Sequence, residues 1–365
     1  MKKKIIIVLT LIGTINFSSC QNDSIIKKSM KPNLKQSDKY DWMASSCAPI
    51  SYPAEIVKGD FYLADGTSLY IPTGGRLLKA GWHDDGATHV VGANLKALPT
   101  ELEVKWMSYV EKKFYAGRFK LDYDVIHKYF KKGFLDLHKK QYTFRKIVAG
   151  VAPGGIVVVW LDGFGTRVEI GRYKAKEIEL SMKEFKPNAV IPLKDYINQK
   201  IERHLSEEVK KEMVTQKIPF GLWDTYRKKY NWQPKIIFAN EGKVTLISIK
   251  YYNGEMSTHT NVETIGYDNK AIPKYIVLQW EDKKGNKFGA KIKLGQMYKN
   301  DDFLAFKKTE KEIFNLFKTA NNTETKQTDL IIKIDKYNSN IKLFLSNEKE
   351  AFEITKAIIK VYQNS

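Results

Sequence analysis

The sequence predicts an α+β protein with two tandem, related antiparallel-sheet-plus-helix domains that are joined by a helical connector. Three observations predict this fold class: two pairs of segments repeat in the same order, each repeat contains strand-like alternation, and each contains one amphipathic helix. The predicted organisation is a signal peptide at 1–19, a tether at 20–39, a first domain at 40–192, a connector at 193–231 and a second domain at 232–365.

Two matches without gaps indicate a duplication. Thr88–Phe114 matches Val262–Phe288, and Ile147–Ile170 matches Ile331–Ile354. Both matches preserve apolar positions, and these predict a structural core around Trp106, Trp160, Trp280 and Phe344. The matched pairs include Gly92 with Gly266, Ala97 with Ala271, Pro99 with Pro273, Trp106 with Trp280, Phe114 with Phe288, Trp160 with Phe344, Leu161 with Leu345 and Glu169 with Glu353.

The first copy reads as strands, one helix and more strands. Leu102 to Tyr109 and Lys113 to Leu121 alternate apolar and polar residues around a short turn, which is typical of a hairpin. A helix follows between Asp122 and Gly133, with acids at its start and a glycine at its end. The run Ile156 to Leu161 is apolar on both faces, and this pattern predicts a central strand that is covered by the helix on one side.

The same kinds of sequence pattern predict helices in the connector and in the second copy. Leu193 to Ile201, Ser206 to Val214 and Gly221 to Asn231 have helix-like spacing, and Ser206 is a suitable N-cap. The helix of the second copy is predicted from Asp302 to Ala320. We therefore expect one helix in each copy and three helices between the copies.

The first twenty residues predict export. Lys2 to Lys4 precede an apolar run from Ile5 to Phe17, and two serines then precede Cys20. The run is shorter than the ~20 apolar residues of a membrane-spanning helix, so we interpret it as a removed signal peptide. The segment resembles the lipobox of bacterial lipoproteins, in which the cysteine thiol receives diacylglycerol, the preceding bond is cut and the new amino terminus is acylated. The alternative is an ordinary signal peptide with a chance cysteine.

Lipidation at Cys20 would make the membrane the first partner of the chain. Two or three acyl chains form a durable anchor, because each buried methylene contributes ~0.8 kcal/mol. Residues 20–39 are polar and suit a lipidated tether. Gln21 is not the aspartate that marks inner-membrane retention in many proteobacteria, so the sequence favours the outer membrane as the location within the cell envelope.

Charge and cysteine content exclude several classes of protein. The net charge is +20, but no compact basic block interleaved with aromatic residues appears, so we expect no nucleic-acid partner. We interpret the charge as a solvated surface that also suits an anionic bilayer or partner. Cys47 is the only other cysteine, so disulfides do not stabilise the domains, and we expect Cys47 to be a small buried residue in a strand.

Several short phrases occur along the chain from about Tyr40 onward: Tyr40-Asp41-Trp42, Ala48-Pro49, Tyr52-Pro53, Thr88-His89-Val90-Val91-Gly92, Leu98-Pro99, Val151-Ala152-Pro153-Gly154-Gly155 with Trp160, and Gly221-Leu222-Trp223-Asp224 with Tyr226 and Tyr230-Asn231-Trp232. Together they resemble the bacterial lipoproteins of domain of unknown function family 2931. The resemblance implies an envelope lipoprotein, often duplicated, whose activity the family does not disclose. Some small envelope lipoproteins are immunity proteins against secreted toxins, but no motif here assigns the chain to them.

One cluster of residues could carry chemistry. His83, Asp84, Asp85 and His89 lie within seven residues, and imidazole and carboxylate groups are ligands for zinc or manganese. The spacing matches no defined metal site, and Glu263 replaces His89 in the second copy. A polar loop beside glycine is the simpler interpretation, and a metal-dependent hydrolase is the alternative.

The sequence lacks the usual catalytic signatures. We find no Gly-x-Ser-x-Gly elbow, no Walker loop and no His-Glu-x-x-His motif. We therefore expect a non-catalytic binding or interaction module without a cofactor. Its partner would be an envelope or secreted protein, which includes the role of toxin immunity.

Overall fold

A computed structural model describes residues 38–73, 75–82, 84 and 86–364. Within them the protein is a mixed α/β structure that is rich in antiparallel strands and has six α-helices. The first half contains fourteen strands and one helix. The strands are β1 (Lys39–Tyr40), β2 (Met43–Cys47), β3 (Ala54–Leu63), β4 (Ser68–Tyr70), β5 (Leu77–Leu78), β6 (Lys96–Ala97), β7 (Pro99–Ser108), β8 (Lys113–Lys120), β9 (Phe134–Leu135), β10 (Gln141–Tyr142), β11 (Lys146–Ala152), β12 (Ile156–Gly163), β13 (Thr166–Lys174) and β14 (Lys176–Ile178).

Two main sheets enclose the core of the first half. One has the order β14-β8-β7-β3-β4, with β5 also paired to β3, and the other contains the run β2-β11-β12-β13. Strand β2 is parallel to β11, whereas the other neighbours in these sheets are antiparallel. The pairs β1–β6 and β9–β10 form two small two-stranded sheets.

Helix α1 (Tyr123–Lys132) contributes the remaining wall of this core. The Asp122 carboxylate accepts a hydrogen bond from the Val125 amide at 3.0 Å, and Gly133 ends the helix at a positive φ of 57°. Ile126 and Phe130 are buried in the core. These boundaries confirm the predicted helix.

Strand β12 is buried on both faces. Val157, Val159 and Leu161 join the core between the two sheets. Ile156, Val158 and Trp160 alternate with them and face a second apolar cluster. The helices between positions 182 and 226, which we call the intervening helices, contribute to that cluster. The prediction of a central strand that is apolar on both faces is therefore confirmed. Helix α1 contributes to the core on one face, and helices that follow the first-half strands cover the other.

Five of the six helices lie after β14. They are α2 (Met182–Phe185), α3 (Leu193–His204), α4 (Glu207–Val214), α5 (Leu222–Tyr226) and α6 (Phe303–Ala320). Helices α3, α4 and α6 agree with the predicted spans, with Ser206 and Asp302 as N-caps. The helix predicted from Gly221 to Asn231 is wrong in its second part, because α5 ends at Tyr226. Lys229 already belongs to a strand that pairs on both sides.

The second half contains ten strands together with α6, and a short 3₁₀ helix at Val262–Thr264. The strands are β15 (Lys229–Phe238), β16 (Gly242–Tyr251), β17 (Met256–His259), β18 (Asp268–Ala271), β19 (Pro273–Asp282), β20 (Lys287–Lys293), β21 (Gln327–Ile334), β22 (Ile341–Ser346), β23 (Ala351–Glu353) and β24 (Ile358–Asn364).

The second half repeats the strand order of the first. The run β24-β20-β19-β16-β17 corresponds to β14-β8-β7-β3-β4, and β15-β21-β22-β23 corresponds to β2-β11-β12-β13, including the parallel first pair. The halves are joined where Arg167 on β13 pairs with Met256 on β17, which produces one nine-stranded sheet. Each half therefore contributes two main sheets, and one sheet of the first half continues into one sheet of the second.

Equivalent tryptophans make equivalent hydrogen bonds. The Trp42 indole N–H donates to the Ala97 carbonyl at 3.1 Å, and the Trp232 indole N–H donates to the Ala271 carbonyl at 3.2 Å. Ala97 and Ala271 are a pair that the sequence match predicted. The shared geometry places the beginnings of the two halves in the same register.

The end of the first match is shifted by one residue. Trp106 lies opposite Tyr115 on the neighbouring strand, and Trp280 lies opposite Phe288. Both ring pairs are stacked, with centroids 5.3 and 5.8 Å apart. Phe288 therefore corresponds to Tyr115 rather than to Phe114, because the hairpin turns of the two halves differ in register.

Three of the four predicted core residues are confirmed. Trp106, Trp160 and Trp280 have no exposed surface. Phe344 was predicted wrongly, because it is only half-buried and its ring lies 4.7 Å from the Lys333 ammonium. Phe344 matches Trp160 in position along the strand, but helices cover that face of the sheet only in the first half.

Candidate functional site

The predicted metal cluster is described in part. His83 and Asp85 lie outside the described residues, as does Cys20. The Asp84 carboxylate lies 4.0 Å from the ammonium of Lys250 on β16, and about half of its side-chain surface is exposed. Among the described residues, no three histidine, cysteine, aspartate or glutamate side chains are grouped to hold a metal ion. A metal site in this loop would therefore depend on His83 and Asp85.

His89 has a different environment from Asp84. Its Nδ1 lies 3.0 Å from the hydroxyl of Tyr70 on β4, and the two rings meet edge to face with centroids 5.9 Å apart. Tyr70 remains 44% exposed, so this contact lies at the surface. The described members of the cluster are therefore held by separate partners, one in the second half and one in the first.

The strongest concentration of ionisable groups with shifted pKa values lies elsewhere, where the first half, the intervening helices and the second half meet. We call the space there the junction cavity. Its volume is about 70 Å³. Small-molecule sites usually measure roughly 300–1,000 Å³, so this cavity has room for a few water molecules rather than for a substrate. Its lining comes from Pro49–Tyr52, Gly81–Trp82, Leu222, Trp223, Tyr226, Lys274, Gln296, Phe303, Phe306, Lys307 and Glu310.

One hydrogen-bonded network in the cavity wall connects all three parts of the protein. The Tyr52 hydroxyl, from the first half, donates to the Glu212 carboxylate on α4 at 2.8 Å. The Lys307 ammonium on α6 pairs with the other oxygen of Glu212. Burial, together with the adjacent Glu212 charge, raises the pKa of Tyr52 well above its ordinary value. The tyrosine therefore keeps its proton and remains a hydrogen-bond donor.

A second network contains an acid and a base. The Tyr226 hydroxyl donates to Glu310 at 2.8 Å, and burial raises the pKa of Glu310 although Tyr226, Lys274 and Lys307 oppose the shift. Burial lowers the pKa of Lys274 to about 8, and the Glu310 charge partly opposes that shift. The Lys274 ammonium also lies 5.8 Å from the centre of the Tyr252 ring. An amine with such a pKa could exchange protons near neutral pH.

Aromatic packing closes the cavity on the side of the first half. The rings of Trp82 and Trp160 meet edge to face at 4.7 Å, and the Trp160 indole donates to the Asn253 carbonyl at 3.2 Å. Asn253 belongs to the turn between β16 and β17 in the second half. Tyr52 and Trp223 form a further edge-to-face pair at 5.6 Å. The junction is therefore packed and leaves little room for an entering molecule.

Sequence reasoning missed the charged members of these networks, because they come from distant segments. One local signal could have found Glu310. Phe306, Ile313 and Phe317 form the apolar stripe of α6, and Glu310 falls within it at helical spacing. A carboxylate in an apolar stripe requires a partner, and Tyr226 supplies it.

Comparison with known proteins gives one match. The family model described as Protein of unknown function (DUF2931) matches residues 27–221, which is more than half of the chain. The matched range includes all strands of the first half and helices α1 to α4. It ends before Trp223 and Tyr230-Asn231-Trp232, which also contributed to the resemblance. No curated protein and no solved structure matches the chain.

Proposed function

The chain belongs to the DUF2931 family, and we propose that it is a lipid-anchored envelope protein that acts as a non-catalytic binding or interaction module. Its partner would be another envelope protein or a secreted protein. The lipid on Cys20 would hold it to a membrane, and the absence of an aspartate after Cys20 favours the outer membrane.

The anchor is supported by the first twenty residues, whose charged, apolar and small-residue order is typical of a lipoprotein signal. Among the described residues, no helix combines the length and the apolar character needed to cross a bilayer. In our proposal, the acyl chains on Cys20 would attach the protein to the membrane.

We further propose that the folded part consists of two related domains joined by a helical connector. The repeated strand order and the matching hydrogen bonds of Trp42 and Trp232 support a duplication. The domains would cover 40–192 and 232–365, with the connector between them, and β15 begins slightly earlier at Lys229.

One observation carries the non-catalytic proposal: the ionisable side chains with shifted pKa values at the junction serve as hydrogen-bond partners that join different parts of the protein. Tyr52 and Lys307 bond to Glu212, and Tyr226 bonds to Glu310, so both networks cross the junction. They surround a cavity of about 70 Å³. Perturbed ionisable groups often mark active sites, but structural networks perturb them as well. Here the groups would fix the halves to each other and make the protein a stiff support for a binding surface.

The anchor can be tested with the two cysteines as matched variants. The full precursor should be expressed in a bacterium supplied with labelled palmitate, as the parent, as Cys20→Ala and as Cys47→Ala. We expect label and membrane association in the parent and in the Cys47 variant. The Cys20 variant should carry no label and should either remain an uncleaved precursor or be released from the membrane. Processing and labelling of the Cys20 variant like the parent would overturn the anchor.

The non-catalytic assignment has its own test. Elemental analysis of the purified mature chain should find no stoichiometric zinc or manganese. A bound metal that is lost in the His83→Ala, His89→Ala double variant would instead favour the metal-dependent hydrolase. Cross-linking in the native envelope would then identify the partner protein.

A further inference from the structure

We infer that one surface of the first half docks onto an anionic phospholipid bilayer, an inference that rests on the proposed lipid anchor and specifies how the folded part meets the membrane. We call it the hairpin surface. It combines the end of α1 with the β9–β10 hairpin that follows. Its members are Lys131, Lys132, Leu135, His138, Lys139, Lys140 and Tyr142.

The hairpin surface combines cationic and apolar side chains. Leu135 is 61% exposed and Tyr142 is 38% exposed, although both are apolar or aromatic. The lysines of the surface are exposed around them. Side chains of this mixture suit the boundary between lipid headgroups and acyl chains, where the apolar groups insert and the ammonium groups meet phosphates.

The four lysines are available for such contacts. Their ammonium groups have no carboxylate partner among the residues that the structure describes. Asp136 is the acidic residue of the hairpin. Its carboxylate accepts hydrogen bonds from the backbone amides of His138 and Lys140, both at 2.8 Å. Asp122 and Asp124 lie at the opposite end of α1. Four lysines against one aspartate leave the hairpin surface with a net positive charge.

The hairpin is held in a defined position, so its exposed residues form a built surface. The Thr143 hydroxyl donates to the Phe130 carbonyl at 2.6 Å, and the Gln141 amide donates to the Lys132 carbonyl at 2.8 Å. Phe134 packs against the core aromatic Phe144, with ring centroids 5.3 Å apart. The hairpin consequently presents Leu135 and the lysines from a fixed support.

The position of chain entry distinguishes this surface from other lysine-rich regions. Asp38, the first described residue, lies 3.4 Å from His127 on α1. The Tyr40 ring packs on Phe130 at 5.1 Å, and Asp41 pairs with Arg145 at 2.6 Å. The chain therefore enters the folded part along α1, directly before the hairpin.

In the proposed lipoprotein, the tether joins the lipid anchor to this entry point. Seventeen residues separate Cys20 from Asp38, and even a fully extended segment of that length spans only ~60 Å. The tether therefore sets only the greatest distance between the bilayer and the start of the folded part, and the charge and exposed apolar groups of the hairpin surface would decide which side faces the lipid. A basic, partly apolar surface near the start of the folded part would add to the attachment by the lipid chains and would orient the folded part on the bilayer.

Vesicle binding tests the inference independently of the anchor. The mature chain should carry Cys20→Ser, so that no lipid is attached, and should be sedimented with phosphatidylcholine vesicles, with or without phosphatidylglycerol. We expect binding only to the anionic vesicles, and binding that weakens as salt is added. No binding to anionic vesicles would overturn the hairpin surface while leaving the labelling test of Cys20 unaffected.

Matched charge variants locate the contact. One variant replaces the four hairpin-surface lysines by glutamine, and its control replaces four exposed lysines of the second half. We expect the first variant to bind anionic vesicles at least roughly tenfold more weakly and the control to bind like the parent. Equal losses in both would show a general effect of net charge and overturn the inference. The control positions are Lys308, Lys311, Lys318 and Lys336.

A third variant tests the apolar contribution. Leu135→Ser retains every charge and changes an exposed side chain, so unfolding temperatures should match the parent. We expect weaker binding than in the parent, and this binding should fall more steeply with added salt than the residual binding of the lysine variant, because the attraction that remains is electrostatic. Binding unchanged by Leu135→Ser would overturn the insertion of the hairpin into the bilayer.

Discussion

The equivalent tryptophans Trp106 and Trp280 allow the contribution of one hydrogen bond to stability to be measured separately from the contribution of packing. Both are fully buried and stacked on a ring of the neighbouring strand. The Trp280 indole donates to Asn338 at 2.9 Å, whereas the Trp106 indole N–H has no hydrogen-bond partner among the described residues. Phenylalanine removes the N–H and part of the ring at each position, so the two changes differ chiefly in one hydrogen bond.

Trp280→Phe should therefore destabilise the protein by ~1–2 kcal/mol more than Trp106→Phe. The lost bond contributes about 1 kcal/mol, and Trp106→Phe also removes a buried donor that lacks a partner. Urea unfolding of the two variants and the parent measures the difference. An equal or larger loss of unfolding free energy for Trp106→Phe would refute the conclusion that the Trp280–Asn338 hydrogen bond stabilises the protein. Alanine at either position should cost ~3–5 kcal/mol, and near-normal melting would contradict the duplicated core.

Three further predictions concern the junction and the loop. Gly254→Ala should destabilise the protein more than Gly285→Ala. Both glycines have a positive φ, 89° and 79°, but only Gly254→Ala would place a Cβ atom 2.8 Å from a buried tryptophan ring. Equal melting temperatures of the two variants would exclude that clash. Burial lowers the pKa of Lys274 to about 8 from 10.5, so the parent gains stability as pH rises between these values. Lys274→Met should raise the melting temperature most near pH 7, and a gain that does not shrink towards pH 10 would contradict this. His83→Ala with His89→Ala should leave thermal unfolding nearly unchanged, and a large drop would show a structural role.

Local patterns predicted much of the fold. The Asp122 N-cap and the terminal Gly133 set the limits of α1, and alternation around Trp106 predicted the central hairpin of the first half. Such features depend on neighbours in sequence, so one sequence is enough to read them. The repeat also predicted the correspondence of Ala97 and Ala271, which the structure extends to the bonds of Trp42 and Trp232.

Tertiary context decided the features that were predicted wrongly. Phe344 matches Trp160 in sequence, yet only the first half has helices over that face, so the phenylalanine stays half-buried. The helix after Gly221 stops early because Lys229 and its successors pair with two strands. The second sheet of each half was not predicted either, since alternation identifies strands and does not say how they divide between sheets.

The candidate site could be predicted least. Tyr52, Glu212 and Lys307 meet although they lie far apart in the chain. No spacing rule joins such residues, and only the packing of α4 and α6 against the first half brings them together. Glu310 is the exception, because an acid in an apolar helix stripe is visible in the sequence.

Mass spectrometry of the amino-terminal peptide from the mature, membrane-extracted protein tests the central claim most directly. We expect a chain that begins at Cys20 and carries diacylglycerol on the thiol and an acyl chain on the α-amino group. The Cys47→Ala variant should show the same modified peptide. An unmodified Cys20, or a chain that still begins at Met1, would contradict the account of an envelope lipoprotein.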